Sequence, residues 1–367
     1  MKILIIKPSS LGDIIHSLPF LKAIKNTFPD ACIEWVISKN LKEILETNPL
    51  IDRLIVFDKD SWKQLKNLPK TLKEIAGLVK TLKANQYDVV VDLQGLLRSG
   101  IITFFAPSPV KIGFKHAREG SSFFYNKKIS VNKSVHAVDK YLEVAKAIRQ
   151  GLGVGSDRPA YRTGRLDSED QGPGKIEFPL NVDKTAAENI KKLLGGLSAI
   201  GRSASGGKEK EYAVMVPSAR WETKKWPAEN FGRLISKLQI QCVLAGSSAD
   251  KDVAQEVTDS SSGSIINLCG KTNLKELVAL IAGAKVVVSN DSGPMHIAAA
   301  LGVPVIALFG PTDPVKTGPY GWQGKKNLKV IRTPISCSPC FKKKCKEPLC
   351  MKGISVEQVF EGIREYL

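Results

Sequence analysis

The sequence predicts an α/β protein made of two doubly wound, Rossmann-like domains facing an interdomain cleft. Three observations lead there. Short β-branched runs alternate with segments of helical spacing along both halves of the chain, as in parallel sheets covered by helices on both faces. The two series are separated by residues 151–211, where Gly, Ser, Lys and Asp dominate, the composition of a connection. Corners rich in small residues follow several strand-like runs, and doubly wound sheets hold ligands outside the carboxyl ends of their strands.

Taken in order, residues 2–6 form a buried strand, followed by the loop Lys7-Pro8-Ser9-Ser10-Leu11-Gly12. A helix opens near Asp13 and carries Ile14, Ile15, Leu18, Leu21 and Ile24 at helical spacing. Residues 32–37 and 54–57 are the next strands, 63–84 a long helix, and 87–93 a buried strand ending in the turn Gln94-Gly95-Leu96-Leu97-Arg98-Ser99. The segment from Lys111 to Asn126 reads as irregular. Residues 183–195 can form one amphipathic helix inside the connection, and a flexible loop is expected at about 198–210. The second series runs through 212–216, 240–246, 265–268 and 285–288. The domain reading is therefore 1–175, a linker at 176–211 with a Gly/Ser-rich loop, 212–350, and a C-terminal helix in 351–367.

The octet Ser289-Asn290-Asp291-Ser292-Gly293-Pro294-Met295-His296 joins strand 285–288 to a helix ended by Gly302. Asp291 or Ser292 can cap that helix, and Pro294 suits its first turn. Gly293 lets a ligand approach bare backbone, where free amides and the helix dipole attract an anion. His296 follows one turn in. The next strand, 304–309, closes on Gly310-Pro311-Thr312-Asp313-Pro314. Two such corners on neighbouring strand ends suit a phosphorylated ligand. The alternative is a capped helix with no ligand.

The 367 residues suffice for two domains, and 43% hydrophobic with 25% charged residues is a globular composition. A formal net charge of +18 favours an anionic partner: nucleic acid, acidic lipid headgroups or a phosphorylated sugar. No apolar run approaches the roughly 18 residues of a membrane span, and the N-terminus does not read as a signal peptide. The expected location is the cytoplasm, with any membrane contact peripheral and made through lysines and arginines. Neither a Gly-x-Gly-x-x-Gly fingerprint nor a Walker loop is present, which argues against a nicotinamide enzyme or a P-loop NTPase.

Several groups can do chemistry. Asp13 can act as a general base or merely cap its helix; His16, one turn on, can support it or be structural. After strand 212–216 comes Ser218-Ala219-Arg220-Trp221-Glu222-Thr223-Lys224-Lys225-Trp226. Its hydroxyl and cations can grip a diphosphate, Arg220 by a fork and Lys224 as a point charge, and its two tryptophans suggest a loop in use. Asp250, after Ala245-Gly246-Ser247-Ser248-Ala249, can take ribose hydroxyls. The first half carries Lys7, Arg98, Lys111, Lys115, His116, Arg118, Lys127, Lys128, Lys133, His136 and Lys140, with aromatics interleaved. That mixture suits a phosphorylated acceptor, RNA, or a plain solvated face. Cys337, Cys340, Cys345 and Cys350 are compatible with a structural zinc, redox-dependent pairing or free thiols.

These residues resemble a known family. Lys7-Pro8-Ser9-Ser10-Leu11-Gly12-Asp13-Ile14-Ile15-His16-Ser17-Leu18-Pro19, Tyr87-Asp88-Val89-Val90-Val91-Asp92-Leu93-Gln94-Gly95 and the stretch from Ala117-Arg118-Glu119 to Phe124-Tyr125-Asn126-Lys127-Lys128 resemble glycosyltransferase family 9, the lipopolysaccharide heptosyltransferases, and its heptosyltransferase I branch in particular. The octet with Phe309-Gly310-Pro311-Thr312-Asp313-Pro314 resembles the family's nucleotide-sugar signature. The resemblance implies a GT-B fold and an inverting transfer of heptose from ADP-L-glycero-D-manno-heptose to a phosphorylated Kdo-lipid A core, with no cofactor required. It makes 1–175 the acceptor-binding domain and 212–350 the nucleotide-sugar domain. Asp13 takes the role of base. Ser218, Arg220, Lys224, Asp250, Asp291, Ser292, Gly293 and His296 fall on the donor side, and Lys7, Ser10, Gly12, Arg98, Arg118, His136 and Lys140 on the acceptor side. It also implies contact with the cytoplasmic face of the inner membrane and no nucleic-acid partner. The cysteine run is similar to that of heptosyltransferase II, so another family 9 transferase is the alternative, and a basic RNA-binding protein is the alternative from a different class.

Overall fold

The structure, a computed structural model, describes residues 1–58, 68–151, 176–195 and 211–367. It divides into two compact units, Met1–Asn181 and Val182–Leu367. The loop expected at 198–210 and most of residues 151–175 lie outside the described residues.

The first unit contains β1 (Lys2–Ile6), α1 (Leu11–Thr27), β2 (Cys32–Ser38), β3 (Arg53–Phe57), α2 (Leu68–Lys83), β4 (Val89–Asp92), α3 (Leu97–Phe105), β5 (Val110–Phe114), β6 (Lys127–Ile129) and α4 (Ala137–Gly151). Its six strands are parallel in the order β3-β2-β1-β4-β5-β6. The central strands β1 and β4 are almost wholly apolar and buried on both faces, as a sheet covered by helices on each side requires. Chain order reverses between β1 and β4, so the loops after them open a crevice at the carboxyl edge. Helix α1 packs on α4 and is buried nearly all round; it runs through Pro19, whose missing N–H costs one helical hydrogen bond.

The second unit holds α5 (Lys184–Leu193), β7 (Tyr212–Val216), α6 (Ala228–Lys237), β8 (Gln241–Leu244), α7 (Lys251–Asp259), β9 (Ile265–Asn267), α8 (Leu274–Ala282), β10 (Val286–Asn290), α9 (Gly293–Leu301), β11 (Val305–Phe309), α10 (Pro314–Thr317), β12 (Leu328–Arg332), α11 (Leu349–Lys352) and α12 (Val356–Arg364). Its parallel order, β12-β11-β10-β7-β8-β9, repeats the topology of the first sheet, with β7 and β10 at the reversal. Helix α5 packs on α8, and Asn189 Nδ2 donates to Glu276 Oε1 at 3.1 Å.

The segment read as irregular is only partly so: Lys111–Phe114 belong to β5, a 3-10 turn covers Ser121–Phe124, and β6 begins just beyond it at Lys127. Gly113 and the polar flanks hide the strand pattern, yet Gly113 is what lets the fold close: a Cβ there would stand 2.3 Å from the Tyr125 ring. Tyr125 is buried and its hydroxyl donates to Asp92 Oδ2 at 2.6 Å. Gly113→Ala is therefore expected to lower the unfolding free energy by about 1–3 kcal/mol, the usual cost of overpacking. Urea denaturation measures it, and an unchanged midpoint would show that Tyr125 yields freely.

Candidate active site

Two clusters stand out, one at the reversal point of each sheet. In the first unit, the loops after β1 and β4 meet helix α4. They line a cavity of about 290 Å³ with Lys7, Asp13, Gln94, Arg118, Lys140 and Tyr141 among its walls. Lys7 is buried, donates to Leu93 O at 3.0 Å, and lies 5.0 Å from the Tyr141 ring centre and 3.9 Å from Asp13 Oδ1. Burial works to depress the Lys7 pKa, but Tyr141 and the Asp13 and Asp92 carboxylates outweigh it and hold the ammonium above the ordinary lysine value. Lys7 is thus a fixed cation beside Asp13.

Asp13 does two things. Its Oδ2 accepts from Ser10 N at 3.0 Å and Ser10 Oγ at 2.8 Å, the reciprocal capping of α1. Its side chain is also 41% exposed and borders the cavity. A carboxylate presented at a cation-rich cavity can take a proton from a bound hydroxyl. Lys133 and His116 join Lys7, Arg118 and Lys140 on the walls, so the cavity suits an anionic ligand.

The floor of the cavity is held by Asp92. Buried at the end of β4, it accepts from Gln94 N at 2.7 Å, Gly95 N at 3.0 Å and the Tyr125 hydroxyl. Burial raises its pKa, and these hydrogen bonds oppose the rise. The turn it holds carries Gln94, whose Oε1 is buried with no hydrogen-bond partner among the described residues.

In the second unit, the loops after β7 and β10 meet in the same way. Lys224 Nζ donates to Asp291 Oδ2 at 2.5 Å and sits 4.6 Å from the Trp221 ring centre. Thr312 Oγ1, from the corner after β11, donates to the same carboxylate oxygen at 2.6 Å. Asn290 locks the loops together: its Oδ1 accepts from Trp226 N at 3.0 Å and its Nδ2 donates to Pro217 O at 2.7 Å. Neither expected cap of α9 is made. Asp291 is engaged by Lys224 and Thr312, while Ser292 Oγ lies 3.1 Å from Ser289 Oγ. Ser292 occupies the cap position with no side-chain cap bond, and Pro294 is in the first turn as expected. First-turn amides without a side-chain cap, a nearby ammonium and the dipole of α9 are together suited to receive an anion.

The structure sorts the remaining candidates. Ser218 and His296 are buried beside these loops, and Arg220 is exposed. Asp250 spends Oδ2 on Ser247 N and Oγ, both at 2.7 Å. His136 and His16 are buried against each other, with ring centres 4.9 Å apart. Arg98 is exposed at the start of α3 and Gly12 is buried in the first turn of α1. Of the two tryptophans, Trp226 is a core residue, edge-on to Phe231 with its indole N–H on Ile354 O. Only Trp221 belongs to the site, flanked by Lys224 and by Lys343, whose Nζ is 5.4 Å from the ring centre. Lys133, one of the cations noted in the first half, lines the cavity, whereas Gln94, Tyr141, Thr312 and Lys343 were not singled out as site residues by the sequence reading. Gln94 and Thr312 had a signal in it, since both directly follow strands that end at the expected ligand edge.

The zinc reading of the C-terminal cysteines is not supported. Among the described residues no group of three or more His, Cys, Asp or Glu is placed to hold a metal ion, and Cys337, Cys340, Cys345 and Cys350 are free thiols. Cys350 is drawn into the core with Met351, whereas Cys337 and Cys345 are exposed. Burial pushes the Cys242 thiol up to about 12 and Cys269 up to about 11. Since the thiolate is the nucleophile, maleimide should label Cys337 and Cys345 in the native protein, and Cys242 and Cys269 only after unfolding. Peptide mapping reads this directly; native labelling of Cys242 at the pace of Cys337 would contradict it.

No helix among the described residues is long and apolar enough to cross a membrane. A family described as glycosyltransferase family 9 (heptosyltransferase) matches residues 75–351. The chain is 28% identical to lipopolysaccharide heptosyltransferase 1 of Pseudomonas aeruginosa, covering 98% of this chain and 96% of that protein. It is 30% identical to lipopolysaccharide heptosyltransferase 3 of Escherichia coli, covering 84% and 82%. Among solved structures it is similar to E. coli heptosyltransferase WaaC with ADP, at 26% identity and a TM-score of 0.71 over the full length of both chains. The paired six-stranded sheets are the GT-B fold, and none of these likenesses favours the RNA-binding alternative.

Proposed function

The chain belongs to glycosyltransferase family 9, and from that premise we propose that it moves heptose from ADP-L-glycero-D-manno-heptose to the phosphorylated Kdo-lipid A inner core of lipopolysaccharide. The observation that carries this reading is the second unit's anion site, where Lys224, Asp291 and the first turn of α9 converge without a side-chain cap. The diphosphate of the donor binds there. Its amides and ammonium stabilise the negative charge that develops on departing ADP, worth about 3–4 kcal/mol for a single well-placed donor. Asp250 and His296 serve the rest of the donor.

The cavity of the first unit takes the acceptor. Lys7, Arg118, Lys133 and Lys140 neutralise its acidic groups, and Asp13 removes the proton from the attacking hydroxyl. The hydroxyl oxygen forms a bond to the anomeric carbon as the bond from that carbon to the diphosphate breaks, which inverts the centre. Lys7, 3.9 Å from Asp13 Oδ1, orients the carboxylate. No metal or cofactor has a step in this scheme. The acceptor is lipid-borne, so the enzyme works in peripheral contact with the inner-membrane surface.

Gln94 fits the same scheme. A buried acceptor atom with no donor is expensive, and a second acceptor hydroxyl would satisfy it. Gln94→Leu is expected to raise the acceptor KM about tenfold and to change kcat less. Equal KM values for the two proteins would release Gln94 from that role. The whole reading is tested by incubating the protein with ADP-heptose and Kdo-bearing lipid A and weighing the product. A lipid heavier by one heptose is the expected result; the same assay with UDP- and GDP-sugars identifies a different family 9 transferase.

A further inference from the structure

Helix α3 turns an apolar face outward. Leu97, Ile101 and Phe104 recur at helical spacing and all three are exposed, Phe104 by 59%. The 3-10 turn at Ser121–Phe124 packs beside this helix. Gly100 admits the Phe124 ring, since a Cβ there would be 2.5 Å from it, and the Phe104 and Phe124 rings are 6.1 Å apart. On that turn Phe123 is 86% exposed. A helix that needed only to cover the sheet would present polar residues here.

Cations surround the patch. Lys111 Nζ donates to Phe104 O at 2.9 Å and lies 5.9 Å from the Phe104 ring centre. Arg98 is exposed beside Leu97, and Arg118 is exposed just before the turn that bears Phe123. The nearest acid on these elements, Glu119, accepts a hydrogen bond from Leu97 N. The patch is also continuous with the cavity, because Gln94, Gly95, Ala117 and Arg118 line it and lead into α3 and the 3-10 turn.

We infer that this face, Leu97, Ile101, Phe104 and Phe123 ringed by Arg98, Lys111 and Arg118, docks on an anionic lipid bilayer. Exposed aromatic and aliphatic side chains enter the headgroup boundary, and the surrounding cations meet acidic headgroups. The charge of the rim selects a bilayer over an apolar protein partner. Docking there brings the cavity mouth to the surface from which a lipid-anchored acceptor projects. The inference deepens the proposed function and takes from it only that the acceptor is lipid-borne.

The test uses the full chain and phosphatidylcholine vesicles with or without phosphatidylglycerol. Flotation should show binding to the anionic vesicles that weakens as salt rises, since screening shortens the reach of the rim cations. The Ile101→Ser, Phe104→Ser, Phe123→Ser triple variant should partition about tenfold more weakly, while transfer to a deacylated, water-soluble acceptor stays unchanged. Phe104→Trp with Phe123→Trp, which keeps interfacial side chains, should retain binding. The inference is overturned if the wild-type chain ignores anionic vesicles, or if the triple variant partitions as well as wild type. It is also overturned if the triple substitution only converts a dimer to a monomer by light scattering, because the face then belongs to a second copy. Absence of transfer to any acceptor, with vesicle binding intact, counts against the proposed function and leaves this surface standing.

Discussion

Asp13→Ala is expected to lower turnover at least about 100-fold, the lower end of what a positioned general base supplies, and to leave ADP affinity unchanged. The affinity is spared because every residue proposed to hold ADP lies in the Val182–Leu367 unit, whereas Asp13 lies in Met1–Asn181. The substitution also removes the reciprocal cap with Ser10, which costs about 1 kcal/mol of stability. Asp13→Asn separates the two roles. Its carboxamide oxygen can still accept from Ser10 N, so α1 keeps its cap, but it cannot accept the proton of a reacting hydroxyl. Steady-state kinetics with ADP binding by calorimetry decides the matter: an active Asp13→Asn enzyme would reduce Asp13 to a helix cap.

The second large effect is expected at Lys224. Lys224→Ala should reduce kcat/KM for the donor by about 10²–10³, the range seen when one preorganised donor to a developing charge is removed. Unlike Asp13→Ala it should weaken ADP binding as well, because an ammonium attracts the diphosphate before and during bond breaking. Lys224 also holds Asp291, which would be left with Thr312 alone, so a purely positional role needs its own test. If Lys224 only positions Asp291, affinity for ADP and for adenosine falls together. If it grips phosphate, ADP affinity falls and adenosine affinity does not. Lys224→Arg is expected to restore only part of the activity, since a guanidinium fork does not reproduce a compact charge seated over the Trp221 ring.

Much of the fold is legible because of how parallel sheets are buried. The strands at 2–6, 212–216 and 286–290 are mostly apolar and buried on both faces, and such runs stand out without alternation. Where burial is one-sided or the strand lies near a sheet edge, the signal weakens. β5 is short and interrupted by Lys111 and Gly113, and β12 at the edge reads Leu-Lys-Val-Ile-Arg with little burial. The cysteine run shows what spacing leaves open: it was compatible with a zinc, with pairing and with free thiols, and the structure draws Cys350 into the core and gathers no metal-holding group among the described residues.

The chain's order of apolar runs, its glycine and proline corners and its excess of cations were enough to define the α/β class, the strand-to-helix turns at Asp13 and Gly293, and an anionic ligand. These are local properties: helix starts, buried strands and net charge depend on residues close in sequence. Tertiary structure alone decided which corners share a site. Lys224 meets Asp291 and Thr312 because β7, β10 and β11 lie side by side in the sheet, and Lys7 meets Gln94 and Tyr141 because β1 pairs with β4 beneath α4. It likewise decided that Trp226 is core and that the face of α3 stays open. Contacts between residues far apart in sequence follow from strand order and packing, and no local spacing encodes those.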